Sequence, residues 1–95
     1  MNDAGRFIPL RVYPGFEKAI TFYFGHQMSL NDIEKLIIND CPELKTGIEF
    51  YISDGTKDVL VTDKSMNFLH LMQYENMKMK SANRTISYEV LSPHF

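Results

Sequence analysis

The sequence predicts one small α+β domain with a single main helix packed on a mixed sheet. Three observations point there. Two closely spaced runs near the start alternate with period two, a capped segment of helical spacing follows, and further short alternating runs are separated by turn residues. The resulting order is strand, strand, helix, strand, strand, short helix, strand.

From Arg6 to Tyr13 the residues are mostly β-formers. Ile8, Leu10 and Val12 share one parity, Arg11 and Tyr13 the other. Pro9 inside this run predicts an edge strand or a local irregularity, because proline cannot donate to a ladder. Pro14-Gly15 is a turn signal. Lys18 to Phe24 forms the second predicted strand, with Ile20, Phe22 and Phe24 on one face and Thr21 and Tyr23 on the other. So short a connection makes the pair an antiparallel hairpin.

Ser29 opens the helix. Its hydroxyl suits the free N–H groups of a first turn, and Asp32 sits well near the positive end of the helix dipole. Leu30, Ile33, Ile37 and Cys41 recur at helical spacing, with Leu36 and Leu44 widening the stripe. Pro42 cannot continue the backbone ladder, so the helix ends near Asp40 or Cys41.

Gly47 marks the next boundary. Ile48, Phe50 and Ile52 alternate with Glu49 and Tyr51 as a third strand, and Ser53 to Lys57 has the residues of a tight turn. Asp58 to Val61 is a short fourth strand. Ser65 to Tyr74 holds Met66, Leu69, Leu71 and Met72 and reads as a short helix capped by Thr62 or Asp63. Glu75 to Arg84 is polar and reads as a loop. Ile86, Tyr88 and Val90, alternating with Ser87 and Glu89, make the final strand.

A hairpin followed by a helix that crosses one face of a mixed sheet is the plan of the ubiquitin-like, or β-grasp, fold. An RNA-recognition type of sandwich needs a helix between its first two strands, and there is no room for one between Tyr13 and Lys18. The expected organisation is a flexible N-terminus over 1–5, the domain over 6–91 and a tail over 92–95. An end at Phe95, soon after the last strand, fits a domain cut from a longer chain.

Composition narrows the function. A chain of 95 residues holds one core, and 44% apolar with 23% charged residues is ordinary for an ordered globular domain. The formal net charge of −2 argues against duplex nucleic acid, whose binders carry a basic stripe that releases counterions from phosphate. One cysteine, Cys41, allows neither an intrachain disulfide nor an all-cysteine metal site. There is no signal-peptide pattern and no run approaching the ~20 apolar residues of a membrane span. The expectation is an intracellular protein, cytoplasmic in preference to nuclear, with no membrane partner.

No phosphate loop, nucleophile elbow or zinc-protease helix is present. His26, His70 and His94 have no metal-clip spacing among themselves or to Cys41. Cys41, at a helix end that does not lower thiol pKa, reads as a small buried hydrophobe. Asp54, Asp58 and Asp63 lack the spacing, the glycine and the closing glutamate of a calcium loop. No catalytic residue, metal ligand or cofactor is therefore assigned. The chain ends without the Gly-Gly of a conjugated modifier or sulfur carrier, and one cysteine cannot hold an iron–sulfur cluster.

The segment from Phe50 to Met66, with its acidic Asp54-Gly55 turn, short strand and Asp63 before a short helix, resembles the acidic motif of PB1 domains. Those domains have the β-grasp fold and pair front to back, an acidic surface meeting a basic one. The resemblance implies an acidic side at Asp54, Asp58 and Asp63. It implies a basic side at Arg11, in Arg11-Val12-Tyr13-Pro14-Gly15, and at Lys18. Thr56, Lys57 and Lys64 stand where such motifs are more acidic, which weakens a contact built from surface ion pairs of about 0–1 kcal/mol each.

A second surface is the sheet face away from the helix, where Tyr13, Tyr23 and Tyr51 stand among Arg11, Thr21 and Glu49. Tyrosine offers contact area with a polar tip; it is also simply a good strand former. The functional expectation is a non-catalytic protein–protein interaction module. It would mediate homo- or hetero-oligomerisation of a larger scaffold or adaptor, with a protein partner that includes a second copy of itself. The alternative is single-stranded nucleic-acid binding by stacking on the three tyrosines beside Arg11.

Overall fold

The computed structural model describes residues 7–15, 18–74 and 76–91. The termini expected to be flexible, and His94, lie outside them. The chain runs β1 (Phe7–Tyr13), β2 (Ile20–Gly25), α1 (Leu30–Asp40), a 3₁₀ turn (Pro42–Leu44), β3 (Glu49–Ser53), β4 (Asp58–Leu60), α2 (Phe68–Tyr74), β5 (Asn76–Ser81) and β6 (Arg84–Val90). Among the described residues six strands join in one sheet, in the order β2-β1-β6-β5-β3-β4. The protein is a small α+β domain.

Every strand pairing is antiparallel, so the expected mixed sheet is not what forms. The reason is one extra strand. The segment from Glu75 to Arg84, read from its polarity as a loop, carries β5 and the start of β6. Met77, Met79 and Ser81 are buried while Lys78 stays exposed, a period-two pattern whose inward side is made of flexible methionines and a serine. The connecting turn hid as well. Ala82 and Asn83 both have positive φ, 50° and 66°, and Ser81 pairs with Arg84 across them. That is a type I′ hairpin turn, for which Asn-Gly is the usual signal and alanine is a poor one.

Of the two expectations for Pro9 the edge strand does not hold, because β1 is an interior strand between β2 and β6. Proline is tolerated there because β6 stops opposite it. The Leu91 N–H donates to the Pro9 carbonyl at 3.0 Å, and the donor that Pro9 lacks is needed only where the ladder ends.

The local signals around α1 hold. Ser29 and Asp32 form a capping box, each side chain accepting from the other's backbone N–H, at 3.2 Å and 2.9 Å. The helix ends at Asp40, before Pro42. For α2 the cap differs from expectation. The side-chain oxygen of Asn67 accepts from the His70 N–H at 2.8 Å, whereas Asp63 folds back onto Ser65. The helix accordingly starts at Phe68.

Both helices lie on one face of the sheet. Ile8, Leu10 and Val12 of β1, Phe22 and Phe24 of β2, Phe50 of β3, Met77 and Met79 of β5 and Ile86 of β6 share a core with Leu30, Ile33 and Ile37 of α1 and Phe68, Leu69 and Leu71 of α2. Phe24 and Phe68 meet edge to face with ring centroids 5.0 Å apart, an arrangement that adds about 0.5–1.5 kcal/mol to area burial. Cys41 belongs to this core at 1% exposure.

Candidate functional site

Strand parity places the polar half of every strand on the sheet face that no described helix covers. Register joins the side chains into two groups. On β1 and β6, Arg11 stands opposite Glu89. The Glu89 carboxylate accepts the Tyr13 hydroxyl at 2.7 Å and lies 3.8 Å from the Arg11 guanidinium. On β3, β4 and β5, Glu49 stands opposite Lys80, and Tyr51 between Lys78 and Leu60. Tyr51 donates to Glu49 at 2.9 Å, a bond that raises its phenol above the usual range. The Lys80 ammonium lies 4.9 Å from the centroid of the Tyr51 ring, and Lys78 pairs with Asp58 at 3.3 Å.

The face is thus electrically balanced. Arg11, Lys78 and Lys80 are matched by Glu49, Asp58 and Glu89. Exposed apolar and aromatic side chains flank them, Phe7, Tyr13 and Tyr23 on β1 and β2 and Leu60 on β4. Tyr13, Tyr23 and Tyr51 share this face but stand apart. Tyr51 is three strands from Tyr13, about 14 Å at ordinary strand spacing. Tyr23 pairs with Pro9, at the far end of β1 from Tyr13.

The acids of the expected acidic side are engaged locally. The Asp54 carboxylate accepts from the backbone N–H of Thr56 and of Lys57, each at 3.0 Å, and from the Thr56 hydroxyl at 2.9 Å. These bonds, that of the Thr56 N–H first, hold its carboxyl below the usual range. Asp63 is lowered in the same way by the Ser65 hydroxyl and N–H. Asp58 has Lys78. On the basic side Arg11 is shared with Glu89, and Lys18 is exposed beside a cleft of about 510 Å³ that Pro14, Ile20, Asp40, Leu44 and Arg84 help to line.

Lys78, Lys80, Glu89, Phe7 and Leu60 belong to the open face and were not singled out in the sequence. The two lysines lay in the segment read as a loop. Glu89 lies on the strand expected for it, but only its register with Arg11 brings it to Tyr13. Burial raises the Cys41 thiol above its usual range, with Glu43 and Asp40 adding to the effect. Among the described residues no group of three His, Cys, Asp or Glu side chains is placed to hold a metal ion. No helix among them is long and apolar enough to cross a membrane.

Comparison with family models, with curated proteins and with solved structures finds no match to this chain.

Proposed function

We propose that the protein is a non-catalytic protein-interaction module whose contact surface is the open sheet face. One observation carries the reading: an antiparallel face that no described helix covers, on which charges are balanced and aromatic or aliphatic side chains stand exposed to either side of them. Exposed tyrosine, phenylalanine and leucine beside neutralised charges are what a protein partner desolvates at low cost. The same balance disfavours a polyanion. Glu89 and Glu49 bind the hydroxyls of Tyr13 and Tyr51, and Lys80 lies over the Tyr51 ring where a base would stack.

The β-grasp reading of the fold has topological support. With β6 set aside, the order is β2-β1-β5-β3-β4, and β5 runs parallel to β1 because each is antiparallel to β6. On this reading β6 is a strand added inside a β-grasp sheet. Front-to-back pairing of the PB1 kind is the second reading, favoured by the exposed, firmly ionised carboxylates of Asp54 and Asp63.

Solution mass by light scattering, across a concentration series at low and high salt, separates these readings. Association that collapses in salt and is lost in Arg11→Glu and in Asp54→Lys supports charge pairing, since exposed pairs are screened. Salt-independent association that survives both variants removes it. Titration of a labelled oligothymidylate at low salt tests the nucleic-acid alternative. Tight binding that Tyr51→Ala abolishes would replace the protein-interaction reading.

A further inference from the structure

The two edges of the sheet are built differently. β4 is three residues long, and its Asp58 is ion-paired to Lys78. Short length and charge are how edge strands avoid pairing with other chains. β2, at the other edge, runs Ile20-Thr21-Phe22-Tyr23-Phe24-Gly25 with no charge, no proline and no bulge in its register with β1.

The backbone of that edge can be followed residue by residue. Because the Leu91 N–H reaches the Pro9 carbonyl, Pro9 and Arg11 turn their main-chain groups toward β6. Ile8, Leu10 and Val12 therefore bond to Phe24, Phe22 and Ile20 of β2. Thr21, Tyr23 and Gly25 are left pointing outward. Gly25 is satisfied within the chain: its carbonyl accepts from the Met28 N–H at 3.2 Å, and its N–H donates to the Met28 sulfur at 3.1 Å. Thr21 and Tyr23 have no such partner among the described residues. Both side chains are exposed, Tyr23 at 65%.

We infer that β2 is a self-pairing edge, and that two copies join antiparallel about a two-fold axis through Phe22. In that register Thr21 of one copy faces Tyr23 of the other, and each pair exchanges both main-chain bonds. The occupant is a second copy for two reasons. The window of outward groups is symmetric about Phe22, so it complements itself, and the strand carries no charge to repel its own image. Pairing also joins the exposed Phe7 and Tyr23 of each copy into one apolar strip across the axis. The inference rests on the protein-interaction reading and assigns self-association to the edge, leaving the central face for another partner.

Light scattering and amide exchange by NMR on the intact chain test it. Wild type is expected to rise toward twice its monomer mass with concentration, in high salt as in low. The Thr21 and Tyr23 amides slow in parallel. A Thr21→Lys/Tyr23→Lys double variant is expected to stay monomeric with an unchanged circular-dichroism spectrum, while Arg11→Glu and Val59→Lys still dimerise. A dimer whose Thr21 and Tyr23 amides exchange freely would overturn the inference and leave the interaction reading standing. So would a wild-type monomer at every concentration. Mass growing past two copies and lost in Val59→Lys would place the contact between unlike edges and overturn two-fold pairing.

Discussion

The hydroxyl of Tyr88 donates to the main-chain carbonyl of Met77 at 2.8 Å, across the place where β5 and β6 part. The two strands pair only from Met79 and Ile86 toward the turn; beyond that β6 turns its ladder to β1. A cleft of about 510 Å³ opens there, lined in part by Met72, Met77 and Val90. Tyr88 does the work of a missing ladder bond. Tyr88 is half-buried, and burial raises its phenol above the usual range.

Tyr88→Phe keeps the ring and removes the bond. Stability is expected to fall by about 1 kcal/mol, read as a lower urea midpoint at unchanged slope. The Met77 N–H, which points into the same gap, should exchange faster than that of Met79.

Glu34 ties α1 to two distant segments. Its carboxylate accepts from the Ile48 N–H at 2.7 Å and from the Lys64 ammonium at 3.0 Å, with the side chain only 15% exposed. Glu34→Ala leaves a backbone donor and a cation without their acceptor, and is expected to cost about 1.5–3 kcal/mol. Glu34→Gln can still accept from Ile48 and should recover part of the loss, both read by thermal unfolding.

The β5–β6 turn holds two side-chain-bearing residues at positive φ. Replacing Ala82-Asn83 by Asn-Gly gives each position a residue suited to it. About 1 kcal/mol of stabilisation is expected, or roughly 4–8 °C in Tm for a domain of this size.

Acid stability should depend on the turn carboxylates. Asp54, Asp63 and Asp32 each have a folded-state pKa below the unfolded value of about 3.9. Their contribution is thus full above that value and is lost as pH falls through the lower folded values. Unfolding free energy measured against pH should decline below about pH 4, and more shallowly in an Asp54→Asn/Asp63→Asn variant. That variant should also be less stable than wild type at neutral pH.

Much of the fold was legible because it is written in neighbours. The parity of Ile8, Leu10 and Val12, the Ser29 cap with Asp32 in the first turn, the stop at Pro42 and the Ser53–Lys57 turn are interactions between residues a few positions apart, and each formed where the sequence placed it. What escaped depended on distant partners. Met77, Met79 and Ser81 form an inward row only because β3 and β6 flank them. A serine counts as inward only because the Gly47 carbonyl, 34 residues away, accepts its hydroxyl at 2.9 Å.

The same division holds for the candidate site. By itself the sequence determined which side chains leave the core, since alternation fixes the face of Arg11, Tyr13, Tyr23, Glu49 and Tyr51 once a strand exists. Only the tertiary structure decided their company. Antiparallel register set Glu89 beside Tyr13 and Lys80 over Tyr51, and the order of strands kept the three tyrosines apart. Turn geometry, in turn, bound Asp54 and Asp63 to their own backbones. Periodicity is a property of one strand, whereas neighbours across a sheet are set by which strands pair and in what register.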